Sequence, residues 1–234
     1  MPSTFTILSP AFFDRDPRRV ARALLGKLLI RKTSGEILAG RVVETEAYLG
    51  TGDEAAHSFA GKTARNAVLF GPPGFAYVYF IYGSYYCFNV SCLPDGKAGG
   101  VLFRALEPIA GIETMARARE LHPLQSEPRD SVARKRSGER GQHKLDRKNL
   151  LFLRAISSGP GRMCEALGIT RARDNGKNLT SSRSDLQLVE DGFRVRRVAI
   201  SPRIGITKSA HEQLRYLIAD SPFVSVPLRQ PVKA

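Results

Sequence analysis

Across 234 residues, 42% hydrophobic and 25% charged side chains exclude an intrinsically disordered chain and supply enough apolar material for a sizeable core. Three cysteines, an odd number, argue against a disulfide framework, and no apolar run is long enough to cross a bilayer as a helix. The 36 Lys and Arg against 22 Asp and Glu leave a net charge of +14, which points to a polyanionic partner, nucleic acid before any other.

Taken in chain order, Asp16-Pro17 opens a helix: Asp caps it, Pro occupies its first position, and Val20, Ala21, Leu24 and Leu25 follow at helical spacing. Lys27 to Lys32 and Ile37 to Glu46 read as two strands around the Ser34-Gly35 turn. The second strand runs into Arg41-Val42-Val43-Glu44-Thr45-Glu46-Ala47-Tyr48-Leu49-Gly50, delivering a carboxylate and an aromatic ring into a loop. Gly50 to Thr63, rich in Gly, Asp, Ala and Ser, is that loop and carries His57. After Gly71-Pro72-Pro73-Gly74, an alternating aromatic run from Tyr77 to Tyr82 turns near Gly83-Ser84 and returns through Tyr85 to Ser91 as a hairpin. Val101 to Leu106 is a further strand, and Gly111 to Leu121 a helix. Residues 121–148 hold eight basic and four acidic residues with almost nothing apolar, and read as a mobile basic loop. The remainder keeps a net +10, so the basic character belongs to the chain as a whole. A helix from Pro160 and strands at Leu186–Val189 and Val195–Ile200 close a single domain spanning residues 1–234.

Several residues could carry chemistry. Period two puts Glu44 and Glu46 on one strand face, where they are either a solvated acidic edge or the site of a general base. Tyr48 lies two residues on and can wall a pocket. Arg104, between Phe103 and Ala105, requires an anionic partner, with Glu46 or a phosphate as candidates. Tyr82 at the hairpin tip is poorly explained by core packing and suits a wedge driven into a base stack. Taken alone, His57 is more often a polar loop residue than a site residue, and backbone pairing is the commonest role for Asn89 on the returning strand. Cys87-x4-Cys92 has no neighbouring His or Cys to complete a metal site, and the glycine-rich segments lack the Lys and Ser of a phosphate-binding loop.

Together, these segments resemble the alkyladenine (3-methyladenine) DNA glycosylase family. The matching text is 41–50, Asp53-Glu54-Ala55-Ala56-His57-Ser58, Thr63-Ala64-Arg65-Asn66, Tyr77 to Gly83, Cys87-Phe88-Asn89-Val90, Val101 to Pro108, Ser158-Gly159-Pro160 and Ser221 to Ser225. The resemblance implies an α+β fold: a single mixed domain whose curved antiparallel sheet has flanking helices and a protruding hairpin that intercalates into DNA. It implies a monofunctional base-excision repair enzyme without cofactor or metal, acting as a monomer on double-stranded DNA with damaged purines. Such an enzyme flips 3-methyladenine, 7-methylguanine, ethenoadenine or hypoxanthine out of the duplex and hydrolyses the N-glycosidic bond. By similarity, Glu46 activates the water and Arg104 positions it, Tyr48, His57, Tyr79 and Asn89 form the base pocket, and Tyr82 fills the vacated stack. Phe223 stands where relatives often carry tryptophan. The rival reading is a non-catalytic module that binds damaged DNA or RNA. The N-terminus, Met1-Pro2-Ser3-Thr4-Phe5, lacks secretory features, so the expected location is cytoplasm or nucleoid in a bacterium and otherwise the nucleus, with no membrane.

Overall fold

A computed structural model describes residues 5–81, 83–121 and 146–228. Its elements in chain order are β1 (Thr6–Ile7), α1 (Pro10–Phe13), α2 (Pro17–Leu24), β2 (Leu28–Lys32), β3 (Ile37–Tyr48), a 3-10 turn (Ala67–Phe70), β4 (Ala76–Ile81), β5 (Tyr85–Ser91) and β6 (Gly100–Ala110). They continue with α3 (Ile112–Ala118), α4 (Arg147–Ser157), α5 (Pro160–Ala166), α6 (Arg171–Asp174), β7 (Leu186–Glu190), β8 (Val198–Ser201) and β9 (Arg215–Ile218). Every strand belongs to one antiparallel sheet with the order β1-β7-β2-β3-β6-β5-β4, and β9 joins β3 to β8. This is the mixed α and β architecture expected.

Local chemistry accounts for most of the elements. The Asp16 side chain accepts the Arg18 N–H at 2.8 Å, satisfying an orphan donor at the start of α2. Val20, Ala21 and Leu24 are fully buried on its inner face, and Gly26 at φ +82° lets the chain reverse into β2. The α5 helix begins at Pro160, as its sequence indicates, and buries Met163, Cys164 and Ala166.

β3 organises the sheet. One edge pairs with β6 along nearly its full length; the other pairs with β2 up to Arg41 and with β9 from Glu44 to Glu46. The sheet therefore forks midway along β3. At the fork the β3–β6 register shifts twice, between Val42 and Glu44 and between Glu44 and Thr45. In the second shift Glu44 faces Ala105 and Thr45 faces Phe103, so Arg104 is an extra, unpaired residue on β6, a β-bulge that re-aims its side chain.

Three expectations are corrected. Arg147 and Lys148 open α4 instead of belonging to the basic loop; the rest of that segment, 122–145, lies outside the described residues. An arginine-rich start hid the amphipathic stretch Leu150–Ile156 that packs toward the core. β6 extends to Ala110, four residues beyond the expected end, because β3 is long enough to pair with it. β9 was not anticipated: Arg215-Tyr216-Leu217-Ile218 is short, and only its partners β3 and β8 identify it as a strand.

A second buried ionic clamp holds the far side. Arg31, fully buried on β2, donates to the Leu167 carbonyl at 3.2 Å, to Asp174 at 2.8 Å and to Asp185 at 3.0 Å, tying the sheet to the ends of α5 and α6. None of the helices among the described residues is long and apolar enough to cross a membrane.

Candidate active site

Register brings the expected residues together. Glu46 on β3 pairs with Leu102 on β6, Leu102 with Asn89 on β5, and Asn89 with Tyr77 on β4. Directly paired residues in an antiparallel sheet share a face, so these four form one row. Period two adds Glu44 and Tyr48, Arg104, Cys87 and Tyr79 to the same face. On the opposite face, Thr45, Phe88, Val90, Val101 and Phe103 are fully buried, Phe88 and Phe103 have ring centroids 4.9 Å apart, and the Thr45 hydroxyl donates to the Ala21 carbonyl of α2.

Above the row is a cavity of about 600 Å³, within the range of small-molecule sites. Its walls include Tyr48, His57, Tyr79, Asn89 and Arg104. Five of the seven expected site residues therefore line one cavity, and Glu46 sits behind its wall, touching Tyr48 and Arg104. The seventh, Tyr82, lies outside the described residues; β4 and β5 pair up to Ile81 opposite Tyr85 on either side of it.

Both carboxylates are completely buried, and the solvated acidic edge is thereby excluded. Glu44 is fully committed. Its Oε1 accepts from Arg104 Nε at 2.9 Å, Arg215 Nε at 2.8 Å and the Ser225 hydroxyl at 2.8 Å, and its Oε2 accepts the Ser225 N–H. Glu46 is differently placed. Its Oε1 accepts the Ile204 N–H at 2.8 Å and faces Arg104 Nη1 at 3.2 Å, and its Oε2 accepts the Tyr48 hydroxyl at 3.0 Å. Burial raises the Glu46 carboxyl above the usual carboxylate range; the Arg104 charge, the Ile204 N–H and the Tyr48 hydroxyl pull the other way without cancelling it. Arg104 answers the question its sequence posed: its partners are both glutamates. Desolvation opposes its charge, but Glu46 and Glu44 more than compensate, so it remains firmly protonated.

Besides Arg104, the cavity is lined by two further cations, Arg119 and Arg162, while Tyr48, Tyr79 and Cys87 are neutral. Burial above all raises the Tyr48 and Tyr79 hydroxyls, and the Cys87 thiol as well. His57, at the rim, is lowered by partial desolvation and then by the Arg65 charge. Its Nδ1 is hydrogen-bonded to the Tyr77 hydroxyl at 2.9 Å, and its ring meets Tyr79 edge-on at a centroid distance of 4.4 Å. Asn89 Nδ2 donates to the Tyr77 carbonyl at 3.2 Å, which fixes the amide's orientation at the cavity floor. Its backbone-pairing and cavity-lining roles are thus compatible. Among the described residues no cluster of His, Cys, Asp or Glu could hold a metal ion.

Sequence reasoning missed Arg203, Arg215 and the Ile204 N–H. Each acts on a carboxylate between 150 and 171 residues away. No local pattern in Ser201-Pro202-Arg203-Ile204-Gly205 announces such a partner.

Comparison with known proteins places the whole chain. The family model described as methylpurine-DNA glycosylase (MPG) matches residues 11–222. A protein of Koribacter versatilis (strain Ellin345), named "Putative 3-methyladenine DNA glycosylase", is 60% identical over 218 residues, covering 93% of this chain and 92% of its own. Proteins of the same name from Methanocella arvoryzae and Alkaliphilus oremlandii are 42% and 38% identical, covering 94% and 93% of this chain and 96% and 98% of theirs. With a match over almost all its length and relatives this similar, the chain belongs to the methylpurine-DNA glycosylase family.

Proposed function

We propose that this DNA glycosylase takes a damaged purine, extruded from duplex DNA, into the cavity bounded by Tyr48, His57, Tyr79 and Asn89, and hydrolyses its N-glycosidic bond with a water activated by Glu46. The observation that carries this reading is the Glu46 carboxylate, held behind the cavity wall by Tyr48, Arg104 and the Ile204 N–H, with a raised proton affinity. A carboxylate with raised proton affinity is a better acceptor for a water proton. The water oxygen bonds to the sugar C1′, its proton passes to Glu46, and the C1′–N bond breaks with its electron pair leaving on the purine. Arg104 steadies the carboxylate and orients the water.

The substrate class is alkylated or deaminated purines: cationic bases alkylated at N3 or N7, together with the neutral lesions ethenoadenine and hypoxanthine. An alkylated base is already cationic, and the broken bond's electrons neutralise it. Among the described residues the lining contains no lysine, which favours water over an amine nucleophile and therefore base release without strand cleavage. The net charge of +14 suits a duplex partner, and Tyr82 between β4 and β5 is the candidate wedge. A monomer acting in a cell's DNA-containing compartment is sufficient for this chemistry.

The test is single-turnover base release from a duplex carrying one 7-methylguanine or one ethenoadenine, with wild type and Glu46→Gln. Release by wild type that is lost in the variant, with duplex binding retained, supports the reading. Tight duplex binding without release by either protein would leave a damage-binding module instead.

A further inference from the structure

We propose that the buried Asp53–Arg203 ion pair is a positioning device for the reaction, holding the Tyr48 ring and the Ile204 N–H against the Glu46 carboxylate. The inference rests on the reading of Glu46 as general base.

Both side chains are fully buried. Arg203 reaches Asp53 with two nitrogens, Nη1 to Oδ2 at 2.5 Å and Nη2 to Oδ1 at 2.8 Å, and Nη1 also donates to the Ala47 carbonyl at 3.1 Å. Its guanidinium carbon lies 4.6 Å from the centroid of the Tyr48 ring. Arg203 does not line the cavity and Tyr48 does, so the cation backs the ring from the side away from the substrate. Asp53 also accepts the Leu49 and Ala55 N–H groups, each at 3.1 Å. Burial works against the Asp53 carboxylate, but Arg203 and these N–H groups outweigh it and hold its pKa below the ordinary value.

One pair thus pins three separate pieces of chain. It holds the end of β3, which carries Glu46 and Tyr48, and the loop from Gly50 to Ser58, which carries His57. It also holds the segment 202–206, where Arg203 immediately precedes the N–H donated to Glu46. Ile204, Gly205 and Ile206 from that segment line the cavity. Two of the three contacts on the Glu46 carboxylate, the Tyr48 hydroxyl and the Ile204 N–H, therefore depend on where Arg203 sits. The other charged or titratable groups around Glu46 are Arg104 on β6, Glu44 on β3, Arg215 on β9 and Cys87 on β5. None of these four groups shares a hydrogen bond or ion pair with Asp53 or Arg203.

A buried pair is costly to assemble, and replacing it with apolar residues of similar size often leaves stability unchanged. A merely structural role therefore predicts that an apolar replacement keeps activity; a positioning role predicts that it does not. The experiment compares wild type, Glu46→Gln, Arg203→Met, Arg203→Lys and the double variant Asp53→Leu/Arg203→Met. It follows single-turnover base release from a 7-methylguanine duplex between pH 5 and 9, together with duplex binding and thermal unfolding.

The expected result is release at least about tenfold slower in Arg203→Met and in the double variant, the scale of one misplaced charge-assisted hydrogen bond. Duplex affinity should stay within a few fold. The acid limb of the rate profile should move up by about one pH unit, because the ionised Glu46 loses hydrogen bonds that stabilise it. Arg203→Lys should retain part of the rate, keeping the charge but not the planar fork. If Arg203→Met fails to fold, the double variant decides, since it leaves no orphaned buried charge. Wild-type rate and an unmoved limb in the folded double variant would overturn the inference, and so would its failure to fold, which would make the pair structural. Absence of release by wild type, or full release by Glu46→Gln, would instead overturn the reading of Glu46 beneath it.

Discussion

Replacing Glu46 by glutamine should abolish base release while making the protein no less stable. The two side chains are nearly isosteric, and the glutamine carbonyl can keep the Ile204 N–H bond now made at 2.8 Å. Arg104 loses one carboxylate but retains Glu44 at 2.9 Å, so no buried charge is stranded. Loss of a general base costs about 10²- to 10⁴-fold in rate, read by single-turnover release at neutral pH. Stability follows from the direction of the Glu46 pKa. Burial raises it in the folded protein, so the folded state binds the proton more tightly than the unfolded chain does. The stabilisation that protonated Glu46 provides is complete below the ordinary carboxylate range and lost as pH rises through the raised folded value. Glutamine cannot ionise, so the variant's melting temperature should pull ahead of wild type over that interval and then hold its lead. Each tenfold weakening of the acid is worth about 1.4 kcal/mol, or roughly 3–6 °C in a chain of this size. Melts at matched pH values between 4 and 9 provide the check. A variant whose deficit against wild type grows with pH would refute the argument, since ionised Glu46 would then be a net stabiliser of the fold.

Arg104→Met should be destabilising, because it strips a cation from two fully buried carboxylates; breaking such a cluster costs about 3–5 kcal/mol, and chemical denaturation would measure it. Gly50→Ala should also lose about 1–3 kcal/mol: Gly50 is at φ +87°, and an added Cβ would lie 2.0 Å from the Ala98 carbonyl oxygen. In a thermal melt a Gly50→Ala protein as stable as wild type would contradict that geometry. The charge state of the lesion should shape the pH profile. Tyr48, Tyr79 and Cys87 are held neutral by burial, and His57 is lowered, so none is a strong acid at neutral pH. Release of 7-methylguanine should therefore rise with pH to a plateau, whereas hypoxanthine, which must gain a proton on leaving, should be slower and fall again at alkaline pH; identical profiles for the two would count against water activation as the main contribution.

The chain's own text carried the strand positions, the shared face of Glu44 and Glu46, and the resemblance that singled out Tyr48, His57, Tyr79, Asn89 and Arg104. Those signals are local: a two-residue period decides which side chains share a face, and an Asp-Pro cap or a Gly turn marks a boundary wherever it stands. Pairing between distant strands is not local. Only the tertiary structure showed that Arg104 sits on a bulge between the two glutamates, and that Glu44 is fully occupied by Arg104, Arg215 and Ser225 while Glu46 is left beside the cavity. It also drew Arg203 onto Asp53 and the back of Tyr48 across 150 residues of sequence. The two glutamates are near-identical in sequence context, and strand geometry puts them side by side. What distinguishes the committed Glu44 from Glu46 is the set of donors that folding delivers to each. Apart from Tyr48 on β3 itself, those donors come from β6, β9, Ser225 and the 202–206 segment, whose arrival depends on the register of the whole sheet.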